Sequence, residues 1–228
     1  MIGVVLTAAG SSTRMGAGST PKVLLRLGPC TVLEHSLRAV REALPRAACV
    51  VTARAEDLER VRALAGDATV VAGGATRQAS VLAGVRALPV ACTHVLVHDA
   101  ARPLATPALF LRTLESTLRH GAAVAGLVPS DSLHALDAPH GTRVLVPLDR
   151  RAVLAAQTPQ GARRDWLEAA LERALREGRD STDETGALVA DGHEVAAVEG
   201  EPWNLKLTRP EDLPLLEAWR ARRPRSPA

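Results

Sequence analysis

The chain has 228 residues, 46% of them hydrophobic and 23% charged, which suits one sizeable globular core and offers no apolar run of membrane-spanning length. A formal net charge of +3 does not point to nucleic acid. The arginines are spread along the chain outside the tail cluster at Arg220, Arg222, Arg223 and Arg225, and aromatic residues, at 2%, leave few rings for base stacking.

In chain order, residues 2–6 form an apolar run that reads as a buried first strand. The run is too short for a secretory signal and no basic region precedes it. Three scattered cysteines, Cys30, Cys49 and Cys92, have neither disulfide-framework nor metal-ligand spacing. A cytoplasmic location is therefore expected, with all three thiols buried as small hydrophobes.

After that strand come Gly10, Ser11, Ser12, Thr13, Gly16 and Gly18, with Arg14 and Lys22 as the only charges. Small side chains let backbone N–H groups approach a ligand, and successive N–H groups in a turn form an anion-binding nest. Two cations at the same strand edge make the expected anion a polyphosphate, here a triphosphate. The spacing is neither that of a P-loop nor that of a dinucleotide fingerprint, and an ordinary βα loop remains the alternative. Of 28 basic residues only Lys22 and Lys206 are lysine. Lysine kept against an arginine bias marks places suited to a compact ammonium, although chance survival would leave the same count.

Leu33, Leu37, Val40 and Leu44 recur on one helical face over residues 31–44, which Pro45 stops. A strand is predicted over 47–52, a helix over 56–64 and a strand over 69–71. This alternation predicts an α/β fold, a mostly parallel sheet with helices on both faces, whose ligands bind beyond the carboxyl ends of the strands. Gly73 and Gly74 then admit a flat ligand, or simply make a turn, and Thr76 can cap the next helix. Residues 94–98 read as another buried strand, ending at His98 and Asp99. A carboxylate there suits Mg²⁺ bridged to phosphate, the alternative being a structural ion pair with Arg102. A lone histidine such as His98 could reach a ribose but is more often structural.

A helix over 106–118 and a strand over 122–128 follow. The next stretch, 129–147, holds two short extended runs around a Pro-His-Gly turn. Two such strands are marginal alone and need a surface to pack on, and the same arm of a second subunit is the expected one. A helix is predicted over 163–176, then a cap at Thr182 or Asp183, and a last helix after Asp212.

Several of these segments carry a family resemblance. Ala8, Ala9, Gly10, Arg14, Met15 and Gly16, followed by Pro21 and Lys22, resemble the signature loop of the sugar-phosphate nucleotidyltransferases. Gly73, Gly74, Arg77, Ser80 and Val81 are similar to the segment that reads the base in cytidylyltransferases. Asp99-Ala-Ala-Arg102-Pro103 looks like their metal-binding segment. Asp149-Arg150, Gln157-Thr-Pro-Gln160 and Asn204-Leu-Lys206-Leu-Thr-Arg-Pro-Glu-Asp212 are close to motifs of the methylerythritol phosphate cytidylyltransferases. The resemblance runs from residue 6 to residue 212.

It implies a single Rossmann-like nucleotidyltransferase domain over 1–228, with a dimerisation arm at about 130–152. It implies transfer of CMP from CTP to 2-C-methyl-D-erythritol 4-phosphate with release of pyrophosphate, and Mg²⁺ held by Asp99. Ala8, Ala9, Gly10 and Ser11 would grip the phosphates, and Gly73, Arg77 and Ser80 would belong to the nucleotide site. Arg14 and Lys22 would neutralise charge on the α-phosphoryl group. Arg150 from a second subunit and Lys206 would position the incoming phosphate, and Ser132, Thr158 and Thr182 would hydrogen-bond the polyol. The active site would thus be shared across a homodimer, with no nucleic acid and no membrane among the partners. Five positions depart from the family pattern. Ser12 stands for a glycine, Val23 and Leu24 for glutamine and an aromatic residue, Ser132 for a threonine, and Trp203 for an acid that contacts the polyol. The last leaves ribitol 5-phosphate cytidylyltransferase as the rival activity; a CTP sensor without turnover is the non-enzymatic one.

Overall fold

The computed structural model describes residues 1–10 and 20–222. Ser11, Ser12, Thr13, Arg14, Gly16 and Gly18 of the expected phosphate loop, and the tail from residue 223, lie outside the described residues. The first half of the chain runs β1 (Ile2–Thr7), β2 (Arg26–Leu27), β3 (Cys30–Thr31), α1 (Val32–Ala43), β4 (Ala48–Ala53), α2 (Leu58–Ala65), β5 (Thr69–Ala72), α3 (Arg77–Ala87) and β6 (His94–Asp99). The second runs α4 (Pro107–His120), β7 (Ala122–Leu127), β8 (Leu133–Leu136), β9 (Val144–Leu148), β10 (Ala155–Arg163), α5 (Arg164–Arg176), α6 (Glu184–Ala190), β11 (Ala196–Glu199) and α7 (Asp212–Arg222).

Seven strands make the central sheet, in the order β11-β7-β10-β6-β1-β4-β5. All pair in parallel except β10, which is antiparallel to both β6 and β7. The strand between 155 and 163 and the edge strand β11 were not expected from sequence. Both faces of the sheet are covered, which is why β1 reads as an unbroken apolar run rather than an alternating one. Val4 and Leu6 point into a core shared with α1, α2 and α4. Val5, from the opposite face, packs with residues of α3, α5 and α6. At Gly84 a Cβ would come within 2.5 Å of Val5 Cγ1, so the missing side chain lets α3 lie close on β1.

Local caps fix where the helices start. Thr31 and Glu34 form a reciprocal capping box on α1, and the side-chain oxygens of Thr76 and Thr106 cap α3 and α4. Asp183, rather than Thr182, caps α6 by accepting from Gly186 N–H at 2.8 Å. Of the three cysteines only Cys92 is buried; Cys30 and Cys49 are partly exposed, against expectation. Among the described residues no helix is long and apolar enough to cross a membrane.

The β8–β9 hairpin stands apart as its own two-stranded sheet. Val144, Leu145, Val146 and Leu148 on β9 are all exposed, as is Leu136 on β8. Lone exposed apolar residues are ordinary, but five on one hairpin form a patch that calls for cover.

Candidate active site

The sheet order reverses between β1 and β6, and an α/β sheet opens a crevice at the carboxyl ends of its strands where that happens. Thr7 and Asp99, the last residues of those two strands, are register partners, and Thr7 Oγ1 donates to Asp99 Oδ1 at 3.0 Å. A cavity of about 320 Å³ opens at this point. Ala8, Ala9 and Gly10 line it from one side, Gly74 to Arg77 and Ser80 from another, and Lys22, Asp99 and Lys206 close it. Its described lining thus sets three cationic side chains against one carboxylate, the charge balance a polyphosphate calls for.

Asp99 is the hub of that charge. Its Oδ1 accepts from Arg77 Nε at 3.2 Å and Arg77 Nη2 at 3.1 Å, and its Oδ2 lies 2.7 Å from Lys206 Nζ. Arg102 Nε is farther off, at 3.8 Å from Oδ2, so the alternative of an Asp99–Arg102 pair is the weakest of the three contacts. Burial pushes the Asp99 carboxyl upward, but the charges of Arg77 and Lys206 outweigh it and hold the group well below the usual carboxylate range. The carboxylate is therefore ionised throughout the physiological range.

Arg77 has a second partner, which sequence reasoning missed. Its Nη1 donates to Glu184 Oε1 at 2.6 Å and its Nη2 to Glu184 Oε2 at 3.1 Å. Burial raises the Glu184 carboxyl, and Arg77 opposes that shift. The only local signal at residues 181–184 was a helix cap, so nothing in that tetrapeptide announced a partner 107 residues away.

The segment expected to read the base is built by close approach. A Cβ on Gly73 would lie 2.5 Å from Ala9 Cβ and 2.7 Å from Ser80 Oγ. Ser80 Oγ donates to Thr76 O at 2.8 Å and accepts from Gly74 N–H at 3.1 Å, which pins the glycine turn to the first turn of α3. Gly73 thus sits packed between Ala9 and Ser80, and of Gly73 and Ser80 only the serine lines the cavity itself.

Thr158, expected to bind the polyol, is 2% exposed and otherwise engaged. Its Oγ1 accepts from Asp99 N–H at 3.0 Å and lies 2.9 Å from His98 Nδ1. The hydroxyl therefore supports Asp99 from behind instead of facing the cavity. His98 is fully buried, its Nε2 donates to Arg102 O at 3.2 Å, and burial lowers its pKa to about 4. It is a neutral structural residue and does not reach a ribose.

Ser132, Arg150 and Thr182 are exposed and do not line the cavity of their own chain. Arg150 Nη1 donates to the Ser130 carbonyl at the base of the arm. Trp203 points away from the cavity as well. Its indole N–H donates to Glu201 Oε2 at 3.0 Å and its ring lies 6.3 Å from that of Trp219 on α7. Within its own chain the tryptophan packs against the core and Trp219 and does not line this cavity.

Lys206 is placed by its neighbours. Asn204, fully buried, donates from Nδ2 to Gln157 Oε1 at 3.0 Å and to Thr158 O at 2.8 Å. Arg102 Nη1 donates to Asn204 O at 2.7 Å, and Leu207 N–H donates to Ala101 O at 2.8 Å. These bonds fasten the segment on both sides of Lys206 to β10 and to the turn after β6.

The donors suit a Mg²⁺ bound mainly through nucleotide phosphates. Mg²⁺ is commonly held by one or two carboxylates plus substrate phosphates and water. Asp99 supplies one carboxylate on the cavity wall. Among the described residues no group of three or more His, Cys, Asp or Glu could hold a metal by itself.

The family model described as 2-C-methyl-D-erythritol 4-phosphate cytidylyltransferase matches residues 2–222. The chain is 38% identical over 224 residues to the 2-C-methyl-D-erythritol 4-phosphate cytidylyltransferase of Acidobacterium capsulatum, covering 93% of this chain and 94% of that one. It is 41% identical over 217 residues to a bifunctional enzyme IspD/IspF of Anaeromyxobacter, covering 93% of this chain but 55% of that protein, so it spans about half the length of such two-activity relatives. The crystal structure of 2-C-methyl-D-erythritol 4-phosphate cytidylyltransferase from Thermus thermophilus superposes with a TM-score of 0.79 at 38% identity, covering 97% of this chain and 100% of that one.

Proposed function

The chain belongs to the 2-C-methyl-D-erythritol 4-phosphate cytidylyltransferase family, and from that premise we propose that it transfers CMP from CTP to 2-C-methyl-D-erythritol 4-phosphate, releasing pyrophosphate. The observation that carries this reading is the meeting of Lys22, Asp99 and Lys206 in one cavity with the backbone of Ala8, Ala9 and Gly10. Residues 22, 99 and 206 are far apart in sequence and share no local reason to converge.

In the reaction a phosphate oxygen of the polyol phosphate attacks the α-phosphorus of CTP. The bond from that phosphorus to the bridging oxygen breaks, and pyrophosphate leaves with the electron pair. The attacking oxygen is already anionic, so no protein base or covalent nucleophile is needed. Catalysis then rests on alignment and on neutralising charge at the α-phosphoryl oxygens. Lys22 supplies positive charge there, with Arg14 in the same role. Lys206 holds the incoming phosphate, and Gly73 and Ser80 meet the cytosine. Asp99 would hold Mg²⁺, which would supply charge neutralisation on the phosphates.

The active site is completed by a second copy of the chain. The exposed apolar face of the β8–β9 hairpin supports this assembly, since such a patch is otherwise a liability. Arg150 at the base of the same arm then faces the other copy's cavity, with Ser132 and Thr182 reaching the polyol. Among the described residues Arg150 bonds the Ser130 carbonyl of its own arm, which accords with a role across the interface.

The test is pyrophosphate release from each of the four nucleoside triphosphates, with methylerythritol phosphate or ribitol 5-phosphate as acceptor. Turnover requiring CTP and methylerythritol phosphate is the expected result. Strong turnover with ribitol 5-phosphate alone would replace the acceptor, and CTP binding without any pyrophosphate release would replace the enzyme with a sensor.

A further inference from the structure

We propose that Glu184 is a positioning residue for this active site: it holds the far edge of Arg77, fixing how Arg77 meets Asp99 and keeping Asp99 available to a metal-bound nucleotide. The inference rests on the cytidylyltransferase reading above.

The geometry is that of one guanidinium shared by two carboxylates. Asp99 takes the edge formed by Nε and Nη2, and Glu184 takes the edge formed by Nη1 and Nη2. A guanidinium is planar, so two partners on two edges fix both its position and its plane. Arg77 is the first residue of α3 and Glu184 the first of α6, and the side chain of Glu184 is 3% exposed. The ion pair therefore ties two helices together directly beneath the cavity.

Charge gives Glu184 a task beyond packing. Asp99 already faces Arg77, Lys206 and, more distantly, Arg102. Without Glu184, the whole of Arg77's charge would fall to Asp99. A carboxylate so heavily compensated attracts a divalent cation less. With Glu184 in place, Asp99, Glu184, Arg77 and Lys206 balance, and Asp99 keeps negative character toward the cavity. The α6 cap does not need this residue, because Asp183 supplies it.

Calorimetric CTP binding, with Mg²⁺ and with EDTA, separates this role from a structural one. Glu184→Gln keeps the shape and removes the charge. It should weaken CTP binding in Mg²⁺ at least tenfold and leave binding in EDTA unchanged or tighter. A double-mutant cycle with Arg77→Gln adds the second readout. If Glu184 acts through Arg77, the Glu184 substitution should cost little more on the Arg77→Gln background. Equal losses in Mg²⁺ and in EDTA, full additivity of the two substitutions, or wild-type binding by Glu184→Gln would each overturn the proposal. Should Glu184→Gln fail to fold, Glu184→Asp keeps the charge but shortens the reach, and the same cycle applies to it. A wild-type protein that neither binds CTP nor releases pyrophosphate would refute the enzyme assignment instead, and that control is read first.

Discussion

Lys206 offers the sharpest test of the site, because two substitutions there separate charge from shape. Its ammonium lies 2.7 Å from Asp99 Oδ2 on the cavity wall, with 32% of the side chain exposed. A phosphate oxygen drawn to that ammonium at ~4 Å gains about 4 kcal/mol at an effective dielectric of ~20. Partial exposure screens this, leaving roughly 2–3 kcal/mol. Lys206→Met keeps the stem and removes the charge, so kcat/KM for the polyol phosphate should fall roughly 30- to 150-fold. Lys206→Arg keeps the charge but must fit a planar fork beside Asp99, where Arg77 and Arg102 already stand. It should lose at least about tenfold, because a guanidinium does not replace a point charge at such a contact. The assay is steady-state pyrophosphate release at saturating CTP, with unfolding midpoints to exclude loss of fold. Lys206→Met within threefold of the parent would refute the placement of Lys206 on the incoming phosphate. A fully active Lys206→Arg would refute the claim that the lysine is kept for its shape.

Three further outcomes follow from the same geometry. Burial lowers His98 to about 4, so the unfolded chain takes up this proton first: the histidine's contribution is complete above pH ~6.5 and falls by about 2 kcal/mol between pH 7 and 5. His98→Gln should flatten that acid slope in urea unfolding of the metal-free protein, and an unchanged slope would remove His98 as its source. Gly73→Ala puts a methyl 2.5 Å from Ala9 Cβ and 2.7 Å from Ser80 Oγ, so Ala9 or Ser80 must shift; CTP affinity measured calorimetrically should fall at least about tenfold while the overpacking costs about 1–3 kcal/mol of stability, and parental affinity would separate Gly73 from the nucleotide. Val146→Asp places a charge on the exposed face of the arm; light scattering should then report monomers with little pyrophosphate release, and an active monomer would confine the active site to one chain.

The parts of the fold legible in the sequence were those governed by local pattern. An unbroken apolar run gave β1, four apolar positions on one helical face gave α1, and Thr31, Thr76 and Thr106 stood where helices begin. β10 escaped notice because it does not look like a strand. Its middle, Gln157-Thr-Pro-Gln160, is polar and holds a proline, yet all four residues are buried. What permits that burial is distant in sequence. Gln157 donates to Glu201 O at 3.0 Å, Gln160 donates to Asp183 Oδ2 at 3.0 Å, and Thr185 N–H donates to Gln160 Oε1 at 2.9 Å. Side chains satisfied by residues 23 to 44 positions away leave no periodic signature. The engagement of Thr158 is hidden for the same reason. A hydroxyl in a family motif suggests a ligand contact, and only the packed structure reveals that Asp99 and His98 already use it.

The antiparallel course of β10 explains why the rest of the site comes together. Its later residues, Gln160 to Arg163, pair with β6 from Val97 back to His94. Gln157 and Thr158 therefore lie at the carboxyl end of β6, beside Asp99. A parallel strand in that slot would carry its first residues to the opposite rim of the sheet. Entering at the site rim has two consequences. The chain reaches β10 directly from the β8–β9 arm, which keeps the apolar hairpin and Arg150 on the active-site side of the molecule. Thr158 and Gln157 also become anchors for Asp99 and, through Asn204, for the segment that carries Lys206. The single strand that breaks the parallel rule of the central sheet thus links Asp99, Lys206 and the arm. A substitution that loosens Gln157 should accordingly disturb Lys206 before it disturbs the core, since the bonds it breaks hold a loop and not a layer of the sheet.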